Sequence, residues 1–73
     1  MRVLGIDCGT ECTGYGVVEM DDCDRLSCLG FGGIRLFASD PLPHRLAAIF
    51  EQLGELLESH HPDRVAIEEV FIP

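Results

Sequence analysis

Three short apolar segments in the first half of the chain have the pattern of β-strands. The first, Arg2 to Asp7, is a nearly unbroken apolar run, which predicts a strand that is covered on both faces. A turn at 7–10 separates it from a second β-rich segment, Thr13 to Met20. A polar reversal at 21–24 then leads into a third segment, which runs from about Arg25 towards Phe37. The pattern predicts a hairpin or a three-stranded meander. Glycines interrupt the third segment and predict a bulge or a close backbone approach at Gly30, Gly32 and Gly33.

One long amphipathic segment follows these strands. Asp40 is a candidate N-cap, and Pro41 and Pro43 fall in the first turn, where a missing N–H group does no harm. From there to about Ser59, apolar residues recur at steps of three and four, which predicts a helix with one face on the sheet. These apolar positions are Leu46, Ile49, Phe50, Leu53, Leu56 and Leu57.

The order of the elements predicts an α/β fold. The helix is expected to end at 60–62, and Val65-Ala66-Ile67 begins another apolar strand. A right-handed crossover through the helix would place this fourth strand parallel to an earlier one, most simply the first. We therefore predict a mixed sheet with one helix in a single small unit.

Composition and charge exclude several classes of protein. The 73 residues are 47% hydrophobic, yet no apolar stretch approaches the roughly 20 residues that a bilayer span needs. Five arginines, no lysine and thirteen carboxylates give a net charge of −8. A chain with this charge would not hold nucleic acid by phosphate contacts unless a cation or further sequence took part.

The four cysteines indicate a reduced compartment. Met1-Arg2 leads at once into a strand-like run, without the pattern of a signal peptide, so we expect a cytoplasmic chain with free thiols. A structural zinc site is the alternative, but the cysteine spacings lack the paired two-residue gaps of zinc ribbons. The cysteines are Cys8, Cys12, Cys23 and Cys28.

Two carboxylates form the candidate chemical site. Asp7 ends the first strand and Glu68 follows the apolar run of the fourth. If these strands are parallel neighbours, both side chains lie at the carboxyl edge of the sheet, where α/β folds bind ligands. Mutual repulsion and partial burial would cost the pair several kcal/mol unless a cation lay between them. Hard oxygen ligands suit Mg²⁺, which can activate water and neutralise charge on a phosphodiester.

Each candidate also has a simpler explanation. Asp7 could bond the backbone N–H groups of its own turn, and Glu68 could be a solvated strand end. Strand alternation lets only one of Glu68 and Glu69 share a face with Asp7, and the pattern alone does not choose between them. Phe71, as a single aromatic residue, is more often part of a core than of a binding surface.

Five segments, in this order and at these spacings, resemble the amino-terminal part of the RuvC family of crossover junction endodeoxyribonucleases. They are Met1 to Thr10, Thr13 to Val18, Leu42 to Leu46, Pro62-Asp63 and Ala66 to Phe71. The resemblance implies a ribonuclease H-like fold, with residues 1–73 forming the amino-terminal part of a single nuclease domain. It also implies a homodimer that cuts four-way (Holliday) junctions in DNA recombination and repair, together with branch-migration proteins. Cys8 departs from the family pattern, which usually has proline at that position.

The resemblance also implies roles for individual residues. Asp7 and Glu68 match the family's catalytic, metal-binding carboxylates, and Phe71 matches an aromatic residue near the junction bases. Base stacking on an aromatic side chain is worth about 1 to 3 kcal/mol. The family uses two Mg²⁺ ions per complete active site, for which Mn²⁺ can substitute. Because its other two acids and most of its basic residues belong to a later part of the sequence, we expect the 73-residue chain alone to be inactive.

Two other functions remain open at this point. Gly5 to Thr10 is also similar to the phosphate-binding start of the sugar kinase, Hsp70 and actin superfamily, where a glycine turn approaches ATP. The segments Leu42 to Leu46 and Ile67 to Phe71 favour the nuclease instead. A noncatalytic junction-binding or dimerisation module would keep the fold without the chemistry, and both motif carboxylates argue against it.

Overall fold

A four-stranded mixed sheet and one helix make up the part of the chain that the computed structural model describes, residues 1–9 and 11–68. The elements are β1 (Arg2–Asp7), β2 (Cys12–Met20), β3 (Leu26–Arg35), α1 (Leu42–His60) and β4 (Arg64–Glu68). The sheet order is β3-β2-β1-β4, with β1 antiparallel to β2 and parallel to β4. The predicted meander and the parallel pairing of the first and fourth strands are confirmed.

The core lies on the face of the sheet that α1 covers. Its central cluster is formed by the buried residues Leu4, Ile6 and Val17, against which Tyr15, Leu53 and Leu56 pack. Ile34 and Leu36 are buried as well. Val3 and Gly5, which alternate with the buried residues of β1, line a concavity on the opposite face. The prediction that the first strand is covered on both faces is therefore wrong for the described residues, because their one helix lies on one face.

The helix covers less of the sheet than its apolar pattern predicts. Leu53 and Leu56 contact the core as expected, but Leu46, Phe50 and Leu57 are 56%, 82% and 42% exposed. The apolar face of the helix therefore extends beyond the residues that contact the sheet. No helix in residues 1–9 and 11–68 is long and apolar enough to cross a membrane.

The start of α1 differs from the prediction by one residue. Pro41 is the N-cap, with an extended backbone (φ −57°, ψ 145°), and no side chain caps the helix. The prediction of Asp40 as N-cap is wrong because its N–H group closes a turn with the carbonyl of Phe37 at 3.0 Å. The chain then enters the helix one residue later.

The glycine-rich part of β3 contains the bulge that the sequence predicts. The pairing with β2 changes from Val17–Gly30 to Val18–Cys28, which leaves one extra residue on β3 as a bulge. The bulge is therefore confirmed. At Gly32, an added Cβ would lie 2.8 Å from the hydroxyl oxygen of Tyr15, so the group that approaches this glycine is a side chain and not the backbone.

Candidate active site

Asp7 and Glu68 are direct partners in the ladder between β1 and β4. Partners in a parallel pair stand side by side and point to the same face, and neighbouring strands lie about 4.8 Å apart. The predicted meeting of the two carboxylates at one edge of the sheet is confirmed. The same register selects Glu68 as the residue level with Asp7. Phe71 lies outside the described residues, so its contact with DNA bases stays a prediction.

Both carboxylates are exposed, so the expectation of partial burial is wrong. The reason is that the face of the sheet on which they stand is uncovered among the described residues. Within residues 1–9 and 11–68, no hydrogen bond or ion pair involves the side chain of Asp7 or Glu68. Because both side chains are exposed, a ligand can reach them.

The pair lies at one end of a shallow concavity of about 670 Å³ on the uncovered face. Glycines from β1 and β2 form much of its floor, namely Gly5, Gly14 and Gly16. An added Cβ on Gly14 or Gly16 would meet no atom within 4 Å. The lack of side chains at these positions keeps the approach to Asp7 and Glu68 open.

The carboxylate pair fits a divalent cation as a partial site. Its oxygens are hard donors, and Mg²⁺ commonly binds through one or two carboxylates while keeping several waters. Within the described ranges, no group of three or more His, Cys, Asp or Glu residues is placed to hold a metal. A cation at this position would have Asp7 and Glu68 as protein ligands among the described residues, and other ligands would complete its coordination.

Gly9 is a structural requirement of this site that the sequence analysis missed. An added Cβ on Gly9 would lie 2.3 Å from the backbone carbonyl oxygen of Cys12. A side chain there would force the backbone to shift where the chain turns back from β1 towards β2, two residues after Asp7. The sequence indicates this requirement only by placing a glycine in the predicted turn at 7–10. A turn pattern does not show which atoms come close to that glycine.

All four cysteines are free and exposed, and Cys8 follows Asp7 directly. No disulfide therefore constrains the loop beside the carboxylates.

Comparisons with a family profile and with known sequences identify the same family. The family profile described as "Crossover junction endodeoxyribonuclease RuvC" matches residues 3–73. A curated protein of that name from Koribacter versatilis is 54% identical over 97% of this chain and 43% of its own length. Another, from Dehalococcoides mccartyi, is 51% identical over 97% of this chain and 42% of its own length. The chain thus spans less than half the length of these relatives.

Solved structures show the same fold. The structure titled "T. thermophilus RuvC in complex with Holliday junction substrate" has a TM-score of 0.90 and 29% identity, over 100% of this chain and 46% of that one. An Aquifex aeolicus PPX-GPPA enzyme has a TM-score of 0.65 at 22% identity, over 92% of this chain and 25% of that one, which shows the shared fold alone. With a profile match that extends from residue 3 to residue 73, the chain belongs to the RuvC family of crossover junction endodeoxyribonucleases.

Proposed function

We propose that the native protein carrying this chain is an endonuclease that resolves four-way DNA junctions, with Asp7 and Glu68 as catalytic carboxylates. The observation that carries the proposal is their pairing in the β1–β4 register, in a chain of this family. The similar protein from T. thermophilus has been solved in complex with a Holliday junction substrate, which supports the choice of DNA substrate.

The two carboxylates would hold a divalent cation, Mg²⁺ or in its place Mn²⁺, with two ions in a complete active site. Such ions activate water and neutralise negative charge on the phosphodiester that is cut. Asp7 and Glu68 contribute two acceptor groups that have no side-chain partner among residues 1–9 and 11–68. The sheet holds them level, so the backbone fixes where the cation binds. A complete site also needs acidic residues besides these two, which the family resemblance assigns to a later helix.

The parts of the proposal that concern the domain, the oligomeric state, the partners and the location rest on the family resemblance. Residues 1–73 form the amino-terminal part of one nuclease domain, which acts as a homodimer on the junction alongside branch-migration proteins. Phe71 contacts the unpaired bases. The protein works in the cytoplasm, and the four free cysteines support a reducing compartment of this kind.

A cleavage assay on a synthetic four-way junction tests the proposal. The native protein is incubated with the junction and Mg²⁺, and a linear duplex of the same sequence serves as the control substrate. We expect paired incisions on the junction and little cutting of the duplex. Tight junction binding without cutting in Mg²⁺ or Mn²⁺ would favour the noncatalytic module. Saturable ATP binding without junction binding would favour the kinase-like alternative.

A further inference from the structure

Two hydrogen bonds join the starts of β1 and β4, at the opposite end of the ladder from the carboxylates. The backbone N–H of Asp63 donates to the carbonyl oxygen of Arg2 at 2.8 Å. The backbone N–H of Arg2 donates to Asp63 Oδ2, also at 2.8 Å. Along each strand, the carboxylate follows five residues after this pair: Asp7 after Arg2, and Glu68 after Asp63.

The side chain of Arg2 also holds the segment that leads into β4. Its Nη1 donates to the carbonyl oxygen of His60, the last residue of α1, and its Nη2 lies 3.2 Å from Glu19 Oε1 on β2. Only His61 and Pro62 separate His60 from Asp63. Arg2 bonds to His60 and to Asp63, the residues at the two ends of this connection. Because the connection has only two residues, β4 can shift little along β1.

Burial does not fix the register of β4 among the described residues. A strand register is strongly specified where one face is buried and weakly specified where it is not. Val65 and Ile67 are 47% and 65% exposed, and the other residues of β4 are exposed as well. A one-residue slip would therefore cost little buried area, yet it would remove Glu68 from the level of Asp7 and turn its side chain to the other face.

We propose that Arg2 and Asp63 form a register clamp, in which Asp63 is a positioning residue that decides which residue of β4 stands beside Asp7. The inference rests on the proposed role of Asp7 and Glu68 as metal ligands. The clamp acts through the backbone, five residues along each strand from the carboxylates. Its effect is to keep the carboxylate pair level on one face.

The variant Asp63→Ala in the native protein tests the clamp, with Mn²⁺ alone as the probe. Titration calorimetry is expected to show a loss of Mn²⁺ affinity of about 10-fold, the lower end of the cost of losing a direct partner of a metal ligand, because Asp63 acts on Glu68 only through the strand. Asp63→Asn keeps an acceptor oxygen and should restore most of the affinity. In parallel, backbone NOEs between Gly5 and Ala66, which are partners in the native register, are expected to weaken in Asp63→Ala.

Asp21→Ala is the matched control. Asp21 is also exposed, and its Oδ1 accepts backbone N–H groups of Cys23 and Arg25 at 2.8 and 3.0 Å, in the turn between β2 and β3. A loss of stability alone would affect both variants, whereas a register effect affects only Asp63→Ala.

The proposal is overturned if either the Mn²⁺ affinity or the NOE pattern stays native in Asp63→Ala. It is also overturned if Asp63→Ala fails to fold while Asp63→Asn and Asp21→Ala fold, because Asp63 would then serve global stability. If the unsubstituted protein binds no Mn²⁺, the proposed function fails, and the NOEs alone decide whether Asp63 sets the register.

Discussion

Gly9 connects the strand that carries Asp7 to the rest of the hairpin, and its missing side chain is essential there. In Gly9→Ala, the new Cβ would lie 2.3 Å from a backbone oxygen of Cys12, so the turn must shift. We expect the free energy of unfolding to fall by about 1 to 3 kcal/mol, as for other overpacked sites. Denaturant unfolding measures this. Gly16→Ala is the control, because its Cβ would meet nothing within 4 Å, and an equal loss there would refute the explanation.

Thr13 presents the opposite case, a buried group that lowers stability. It is 1% exposed, and its Oγ1 has no hydrogen-bond partner within the described ranges. Thr13→Val replaces the unpaired hydroxyl by a methyl group of similar size and is expected to raise the free energy of unfolding by about 1 kcal/mol. Thr13→Ser keeps the hydroxyl and loses a methyl group, so it should be less stable than the unsubstituted protein. Urea denaturation of both variants checks the prediction, and a destabilised Thr13→Val would show that the hydroxyl is bonded.

At the scale of the elements, α1 contains a glycine that its packing does not require. An added Cβ at Gly54 would meet no atom within 4 Å outside the neighbouring helix backbone. Gly54→Ala is therefore expected to stabilise the protein by about 0.5 to 1 kcal/mol, the difference in helix propensity. Ala47→Gly, at an exposed position of the same helix, should destabilise it by a similar amount. Thermal unfolding measures both, and a destabilised Gly54→Ala would mean that Gly54 is needed for close packing.

Local patterns in the sequence predict most of the elements, because each strand and the helix carries its own periodicity. The parallel pairing of β4 with β1 follows from the crossover rule, and with it the meeting of Asp7 and Glu68. The start of α1 could not be predicted to the residue, since it depends on a hydrogen bond from Asp40 to the carbonyl of Phe37. The incomplete contact of α1 with the sheet depends on tertiary packing that periodicity does not contain.

The supports of the candidate site were harder to predict than its carboxylates. Asp7 is recognisable from its place at a strand end, whereas the choice of Glu68 over Glu69 needs the family resemblance or the β1–β4 register. In the proposed clamp, Asp63 Oδ2 accepts a hydrogen bond from the backbone N–H of Arg2. Gly9 is important because of its distance from a carbonyl oxygen. Such contacts join residues that are distant in sequence or sit in irregular backbone, where no periodic pattern indicates them.

At the scale of the whole molecule, charge and ligand count limit what these 73 residues can do alone. The net charge of −8 opposes DNA binding, and the described residues bring together two carboxylates at the site. We expect the isolated chain to bind a four-way junction weakly and not to cut it in Mg²⁺. Gel-shift and cleavage assays test this. Cutting by the isolated chain that disappears in Asp7→Asn would contradict the expectation.

We propose that Asp7 and Glu68 act as one unit because the sheet holds them level. A double-mutant cycle measures this, with single-turnover cleavage of a four-way junction by the native protein, Asp7→Asn, Glu68→Gln and the double variant. Each single change is expected to slow cleavage by at least about 100-fold. The double variant should be no more than about threefold slower than the slower single variant, because residues that act together do not contribute additively. The proposal is contradicted if the rate losses of the two single variants multiply in the double variant. It is also contradicted if Glu68→Gln cuts the junction at the native rate.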